Sequence, residues 1–416
     1  MGLLVEYQPG QRVSEDRASS VGGRWVNVVS HLDARYGGLS AVVPRLVSSI
    51  ASTTAFAVDL AAFCVPGEIF SDSDYPGISI TRWPASRLSW MKRRQLTFDF
   101  SNQLKDVDGI HIHGLWEQST TAAAHAAYAL RKPYILSAHG MLDPWALRNK
   151  RLKKVVYAAL AERANVKSAA CLHALTQAEA LDYRRFGGKG PIAIIPNGVA
   201  IPEEIYPELF LNQFPSLSGK RIVLFLGRIH FKKGLDILVE SWATVAKRWP
   251  EARLVLAGPD FEGTRARIEA LVAERGLNET VLFTGMLRDD LKWSALAAAE
   301  CFILPSYSEG LSVSTLEAMG VGRPVIITEQ CNLPDVTRFE AGWVIKSTAG
   351  EITEALNECL QNSQSINQEI GECGRRLIRQ KYNWSSVARQ MSDVYRWVQG
   401  GCSASSAPSS VEILRN

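Results

Sequence analysis

From Arg24 onward, short β-branched runs alternate with longer stretches of helical periodicity. This alternation restricts the chain more than any other feature, because strands that recur between helical segments build parallel sheets covered by helices. The expected fold class is α/β. Runs at 25–30, 55–62, 109–113, 134–138, 170–174 and 192–195 read as strands of a first sheet, and runs at 222–226, 253–257, 281–284, 301–304, 324–328 and 342–345 as strands of a second. A chain of 416 residues that is 46% hydrophobic has material for two cores. The expected organisation is a poorly ordered start at 1–23, a first Rossmann-like domain at 24–200, a linker at 201–220 and a second domain at 221–384. A helix at 385–400, placed after the second sheet is complete, is expected to cross back to the first domain, and the Ser-rich stretch 401–416 reads as a flexible tail. Open sheets of this kind take ligands beyond the C-terminal ends of their strands, so the loops after these runs are where chemistry is expected.

Charge and targeting patterns narrow the setting. The opening residues lack the basic start and apolar run of a secretory signal, and no apolar run reaches the roughly 18 residues of a membrane span. Seven cysteines without a C-x-x-C pair favour reduced thiols over disulfides or structural zinc. The expected location is cytoplasmic. The net charge of +4 hides a basic first half, with two clusters at 87–94 and 148–154 that mix cations with apolar residues. Such segments suit an anionic membrane surface on the inner face of the cytoplasmic membrane; a solvated helix face is the competing reading. Nucleic acid is not an expected partner, since no recognised binding motif accompanies the clusters.

Two stretches carry the chemistry. In LFLGRIHFKKGLDILVESW, residues 224–242, a strand turns at Gly227 and enters an amphipathic helix, with Arg228 and Lys233 on the turn. Fixed cations beside backbone amides at a helix start favour a diphosphate. Neither a Walker loop nor a Gly-x-Gly-x-x-Gly turn is present. In PSYSEGLSVSTLEAMGV, residues 305–321, a loop holding Glu309 leads into a helix that contains Glu317. Carboxylates on either side of such a cradle accept hydrogen bonds from sugar hydroxyls. Ser314 and Glu317 also fit a Ser-x-x-Glu capping box, which leaves a purely structural role open for Glu317.

Gly-Arg-Ile-x-x-x-Lys-Gly at 227–234 and Ser-Glu-Gly-x6-Glu-Ala-Met-Gly at 308–320 together resemble the donor domain of retaining family 4 glycosyltransferases with the GT-B fold, two Rossmann-like domains facing each other across a cleft. The resemblance implies that Arg228 and Lys233 hold the donor diphosphate, that Glu309 contacts the transferred sugar, and that Glu317 binds the nucleotide ribose. It implies also that the amides of Gly310, Leu311 and Ser312 hold phosphate or sugar. The chain departs from the family where Gly310-Leu311-Ser312-Val313 replaces the frequent Gly-Phe-Gly, so the identity of the sugar stays open. In the first half, YGGLSAVVPRL at 36–46 resembles the family's glycine-rich loop, in which Gly37 and Gly38 let the chain approach donor or acceptor; a tight turn is the alternative. His139 matches the family's histidine near the transferred sugar. His113 reads either as an acceptor contact or as a satisfied structural residue, and Asp143 with the 148–154 run as an acceptor-orienting group. His111, His113 and His139 lack metal-ligand spacing, so no metal is expected. Pro-Asn-Gly-Val at 196–199 matches a turn at the domain junction.

These features imply a metal-independent hexosyltransferase in which His139, Glu309, Arg228 and Lys233 carry catalysis. The co-substrate is a nucleotide diphosphate sugar, with no further cofactor, and the acceptor is a glycan or lipid-linked hydroxyl of bacterial cell-surface polysaccharide synthesis. No dedicated nucleophile is evident, so retention would follow from a route in which the leaving phosphate takes the acceptor proton on the same face. The alternatives are a sugar-nucleotide epimerase or phosphorylase-like enzyme of the same build, and a nucleotide-sugar binding module without turnover.

Overall fold

The computed structural model describes residues 22–32, 38–64, 75, 77–84, 93–148 and 151–413. Gly37, most of the segment 1–23 and most of the basic run 87–94 lie outside them. In chain order the strands are β1 Arg24–His31, β2 Ala57–Cys64, β3 Ser79–Pro84, β4 Gly109–His113, β5 Tyr134–Ser137, β6 Cys171–Ala174, β7 Ile192–Ile194, β8 Arg221–Leu226, β9 Ala252–Ala257, β10 Val281–Gly285, β11 Cys301–Leu304, β12 Val325–Thr328, β13 Gly342–Ile345 and β14 Val411–Glu412. They form two sheets, ordered β14-β7-β6-β5-β4-β1-β2-β3 and β10-β9-β8-β11-β12-β13. Every pair is parallel except β14 with β7. Central strands such as β4 and β11 are buried along their whole length, as expected for parallel strands covered on both faces. Each strand read from the sequence has a counterpart within about two residues.

Two strands were not expected. SITRWP of β3 stands at the edge of the first sheet, where its terminal proline is tolerated. The stretch 401–416, expected to be a flexible tail, instead turns through Ala404–Ser406 and supplies β14, whose Val411 pairs with Ala193. The linker is a second correction. Pro207 starts a short helix, Pro207–Gln213, that buries Phe210 fully in the second core and donates the Phe210 amide to Ser294 Oγ at 2.8 Å. Residues 207–217 therefore belong to the second domain.

The chain crosses between domains at two adjacent points. Val199 N donates to Tyr382 O at 2.7 Å, and Val199 bridges Asn383. Gly198 allows this approach, since a Cβ there would stand 2.6 Å from the Trp384 ring. Helix Trp384–Gln399 then returns to the first domain, burying Val387, Met391, Val394 and Tyr395 against Trp25, Val43 and Ile50. Tyr395 stacks on Trp25 with ring centroids 4.0 Å apart, an arrangement that contributes about 1 kcal/mol beyond area burial.

Candidate active site

Both sheets reverse their winding at their centre, between β8 and β11 in one and between β1 and β4 in the other. Crevices form beyond the C-terminal ends of the strands at such points. At the β8/β11 crevice the two motifs meet. After β8 the chain runs through a 3-10 turn at Phe231–Lys233, where His230 caps by accepting from Lys232 N. Gly234 follows at φ 66°. A Cβ at Gly234 would lie 2.1 Å from Pro305 O, so only glycine lets this turn close onto the loop after β11. Tyr307 N then donates to Lys232 O at 2.8 Å, tying the two loops together.

Glu309 sits where these loops touch. Its Oε1 accepts from Lys233 Nζ at 2.5 Å and from Ser306 Oγ at 2.7 Å. Its backbone is pinned on both sides: the amide donates to Gln330 O at 3.0 Å, and the carbonyl accepts from Asn332 Nδ2 at 2.7 Å. The helix Val313–Gly320 begins four residues later, capped by Ser312, whose side chain accepts from Thr315 N. The Ser314–Glu317 capping box is therefore not the one this helix uses. Glu317 accepts instead from Lys292 Nζ at 2.7 Å, with both side chains mostly buried. Leu311 packs on the core and contributes only its backbone to the loop between Gly310 and Ser312. Arg228 is exposed, its guanidinium 5.0 Å from the Phe261 ring centroid.

The facing wall comes from the first domain. His139 and Gly140 follow β5 at φ 52° and 77°, a left-handed pair that costs energy at the histidine. Glu179 holds it in place, accepting from Gly140 N at 2.6 Å and from Leu175 N at 2.7 Å. Burial pushes the Glu179 carboxyl up to about 7 against the pull of those two amides. Gly140 meets Gly310 across the crevice; a Cβ on Gly140 would stand 3.5 Å from Gly310 Cα. Asp143 caps the following helix through Trp145 N at 2.8 Å, and its other oxygen accepts from Ser308 Oγ of the second domain at 2.9 Å. Trp145 adds a further contact between the domains, with Lys232 Nζ 4.8 Å from its ring centroid. A cavity of about 210 Å³ remains, lined by Gly140, Asp143, Glu179, Asp182 and Arg185 on one side and by 307–310, Gln330 and Asn332 on the other.

Two expected roles change with these positions. His113 is fully buried behind His139, with Nδ1 3.0 Å from His139 Nε2 and Nε2 3.0 Å from the Asn27 amide, so it cannot touch an acceptor directly. Asp143 spends both oxygens on the cap and on the clasp to Ser308. Gly38 opens the helix Gly38–Thr53, and among the described residues a Cβ there would meet nothing within 4 Å. Burial lowers His139 to about 3, so the ring is neutral at physiological pH. The residues that sequence reading missed are Glu179, Lys292, Gln330 and Asn332. Only Glu179 left a signal, a Thr-x-x-Glu helix start at 176–179.

The comparisons agree with this geometry. Residues 37–198 match the "Glycosyl transferase 4-like domain" and residues 208–377 match "Glycosyl transferases group 1". An uncharacterized glycosyltransferase of Methanocaldococcus jannaschii is 25% identical over 181 residues, 43% of this chain and 45% of that protein, so the chain spans about half the length of that relative. The GDP-mannose:cellobiosyl-diphosphopolyprenol alpha-mannosyltransferase of Xanthomonas campestris is 23% identical over 390 residues, 90% of this chain and 97% of that protein. Among solved structures, sucrose-phosphate synthase from Thermosynechococcus elongatus superposes with a TM-score of 0.71 at 22% identity, covering 91% of this chain and 99% of that one. With two facing α/β domains, both motifs at one crevice and a family match on each domain, the chain belongs to the group 1, family 4-like glycosyltransferases of GT-B fold.

Proposed function

We propose that the protein transfers a hexose from a nucleotide diphosphate sugar to an acceptor hydroxyl with retention of anomeric configuration and without a metal ion. The observation that carries this reading is the meeting of Lys233 with Glu309 at the second domain's crevice, opposite the His139–Gly140 turn, with Arg228 in the same loop after β8. Arg228 and Lys233 supply positive charge beside the amides of 310–312, where a departing diphosphate would build negative charge. Glu309, with Oε1 already engaged, offers its other oxygen to a sugar hydroxyl. Glu317, held by Lys292, meets the ribose. The leaving phosphate oxygen then takes the acceptor proton on the face it has just left, which needs no protein nucleophile.

The cavity wall that carries Asp182 and Arg185 is polar and charged, a surface suited to a hydroxylated acceptor. The name of the Xanthomonas relative couples a nucleotide sugar to a diphosphopolyprenol-linked glycan, which supports a lipid-linked acceptor in cell-surface polysaccharide synthesis. The exposed Val155 and Val156 on the helix Arg151–Tyr157, which begins within the 148–154 run, and Leu160 on the π-helical turn Ala158–Glu162 after it would face an anionic membrane. Among the described residues no helix is long and apolar enough to cross one.

The test is acceptor-dependent release of nucleoside diphosphate across a panel of nucleotide sugars, with the product's anomeric configuration read by NMR. Donor hydrolysis or epimerisation without transfer, or sugar 1-phosphate formed from glycan and inorganic phosphate, would assign the chain to the alternative enzymes. Donor binding without turnover on any acceptor tried would leave only a binding module. Equal flotation with neutral and anionic vesicles would remove the membrane.

A further inference from the structure

A buried hydrogen-bonded chain crosses the first domain and ends on His139. It begins at a backbone carbonyl, Ile195 O, 2.8 Å from His173 Nε2. His173 Nδ1 is 2.6 Å from Ser137 Oγ, and Ser137 Oγ is 2.6 Å from His111 Nε2. His111 Nδ1 lies 2.9 Å from the Tyr395 hydroxyl. One atom of the Asn27 amide lies 3.2 Å from that hydroxyl and 3.0 Å from His113 Nε2, and His113 Nδ1 reaches His139 Nε2 at 3.0 Å. Asn27, His111, His113, Ser137, His173 and Tyr395 are all buried. Burial lowers all four imidazoles, His173 to about 4 and His139 to about 3, so each is neutral, and it raises the Tyr395 hydroxyl, which keeps its proton.

A neutral imidazole donates from one nitrogen and accepts at the other, so one fixed acceptor orders the whole chain. Ile195 O can only accept, which puts the His173 proton on Nε2. His173 Nδ1 then accepts from Ser137, Ser137 accepts from His111 Nε2, and His111 Nδ1 accepts the single proton of Tyr395. Tyr395 has only lone pairs left for Asn27. The amide atom facing it must therefore be the NH2, which donates its second proton to His113 Nε2. His113 donates from Nδ1 to His139 Nε2, and the remaining proton of His139 resides on Nδ1. The opposite amide orientation sets Oδ1 against the Tyr395 lone pairs and leaves Asn27 Nδ2 buried without a partner. Amide orientation is a choice made from the surrounding network, and an under-satisfied carbonyl costs less than an orphaned N–H.

We propose that Tyr395 and Asn27 are positioning residues that hold His139 as its Nδ1–H tautomer, so that the ring presents a hydrogen-bond donor on the nitrogen turned away from His113. The use of that donor on a hydroxyl of the transferred sugar rests on the function proposed above; the tautomer does not. Because Tyr395 arrives on the helix that returns from the second domain, the proton position on His139 depends on that helix being docked.

Two-bond proton–nitrogen spectra of the full chain, labelled with nitrogen-15 histidine and free of donor at pH 7, read the tautomer directly. The His139 signals are identified by their loss in His139→Gln. The expected pattern is a protonated Nδ1 and a bare Nε2; an Nε2–H pattern overturns the proposal. Tyr395→Phe keeps the ring stacked on Trp25 and removes only the hydroxyl. It is expected to replace the single tautomer by a mixture, and an unchanged pure Nδ1–H signal in the folded variant removes Tyr395 from the chain. Ser137→Ala breaks the chain two links earlier without touching that stack and is expected to act the same way. Absence of sugar transfer would leave these spectra as they are, so the two readings fail separately.

Discussion

Lys233 Nζ and Glu309 Oε1 stand 2.5 Å apart although 76 residues separate them in the chain. The pair forms because β8 and β11 are neighbours and because Gly234 lets the turn after one strand close on the loop after the other. One motif supplies the cation and the other the acid, so neither can be altered without exposing its partner's charge.

Lys233→Ala and Glu309→Ala are each expected to lower kcat by about 100-fold or more, since each removes a group proposed to stand where charge develops. Steady-state release of nucleoside diphosphate checks this. Wild-type turnover by either variant would end the role assigned to that residue.

Glu317→Gln is expected to act on binding. Loss of the charged acceptor proposed for the ribose is expected to raise donor KM about 10-fold, near 1.4 kcal/mol, with a smaller change in kcat. A variant that lowers kcat and leaves KM untouched would move Glu317 from ribose to chemistry.

Gly234→Ala places a Cβ 2.1 Å from Pro305 O at a left-handed φ. The turn must shift, at a cost of about 1–3 kcal/mol. Thermal unfolding is expected to reveal the loss, and donor affinity to fall with it, because the displaced turn carries Lys233.

Glu179 makes stability fall as pH rises. Its folded value, about 7, lies above the ordinary 4.5, so between these values the folded state binds more protons than the unfolded one. The contribution is absent below pH 4.5 and complete above 7, on the order of 3 kcal/mol. The buried histidines act oppositely, gaining stability as pH rises toward 6.5. Urea unfolding of wild type against Glu179→Gln from pH 4 to 8 isolates the term: the difference between the two curves should change through this window and be flat above it.

Ser308→Ala removes one bond of the clasp to Asp143, worth about 1 kcal/mol. Small-angle scattering without donor is expected to show a larger mean radius of gyration than for wild type. An unchanged radius would mean that the Trp145 contacts hold the crevice closed alone.

Local pattern made several features legible in the sequence. Hydrophobic periodicity marks the strands, and glycines mark the turns whose φ or close approach only they tolerate, as at Gly198 and Gly234. The capping signals misled in an instructive way. Ser314 and Glu317 look like a capping box, yet the helix is capped by Ser312 and Glu317 turns to Lys292. Thr176 and Glu179 look equally ordinary; there the carboxylate reaches past its own helix to hold the His139–Gly140 turn.

What the sequence determined by itself is whatever a few neighbouring residues decide: two sets of parallel strands, the turns after β8 and β11, and the family motifs those turns carry. Tertiary structure alone decided which acid meets which cation, that His113 lies behind His139, that Gly140 faces Gly310, and that the Ser-rich end closes an edge of the first sheet. The physical reason is strand order. Burial and ion pairing depend on which strands become neighbours, and periodicity along the chain says that a segment is a strand without saying what lies beside it.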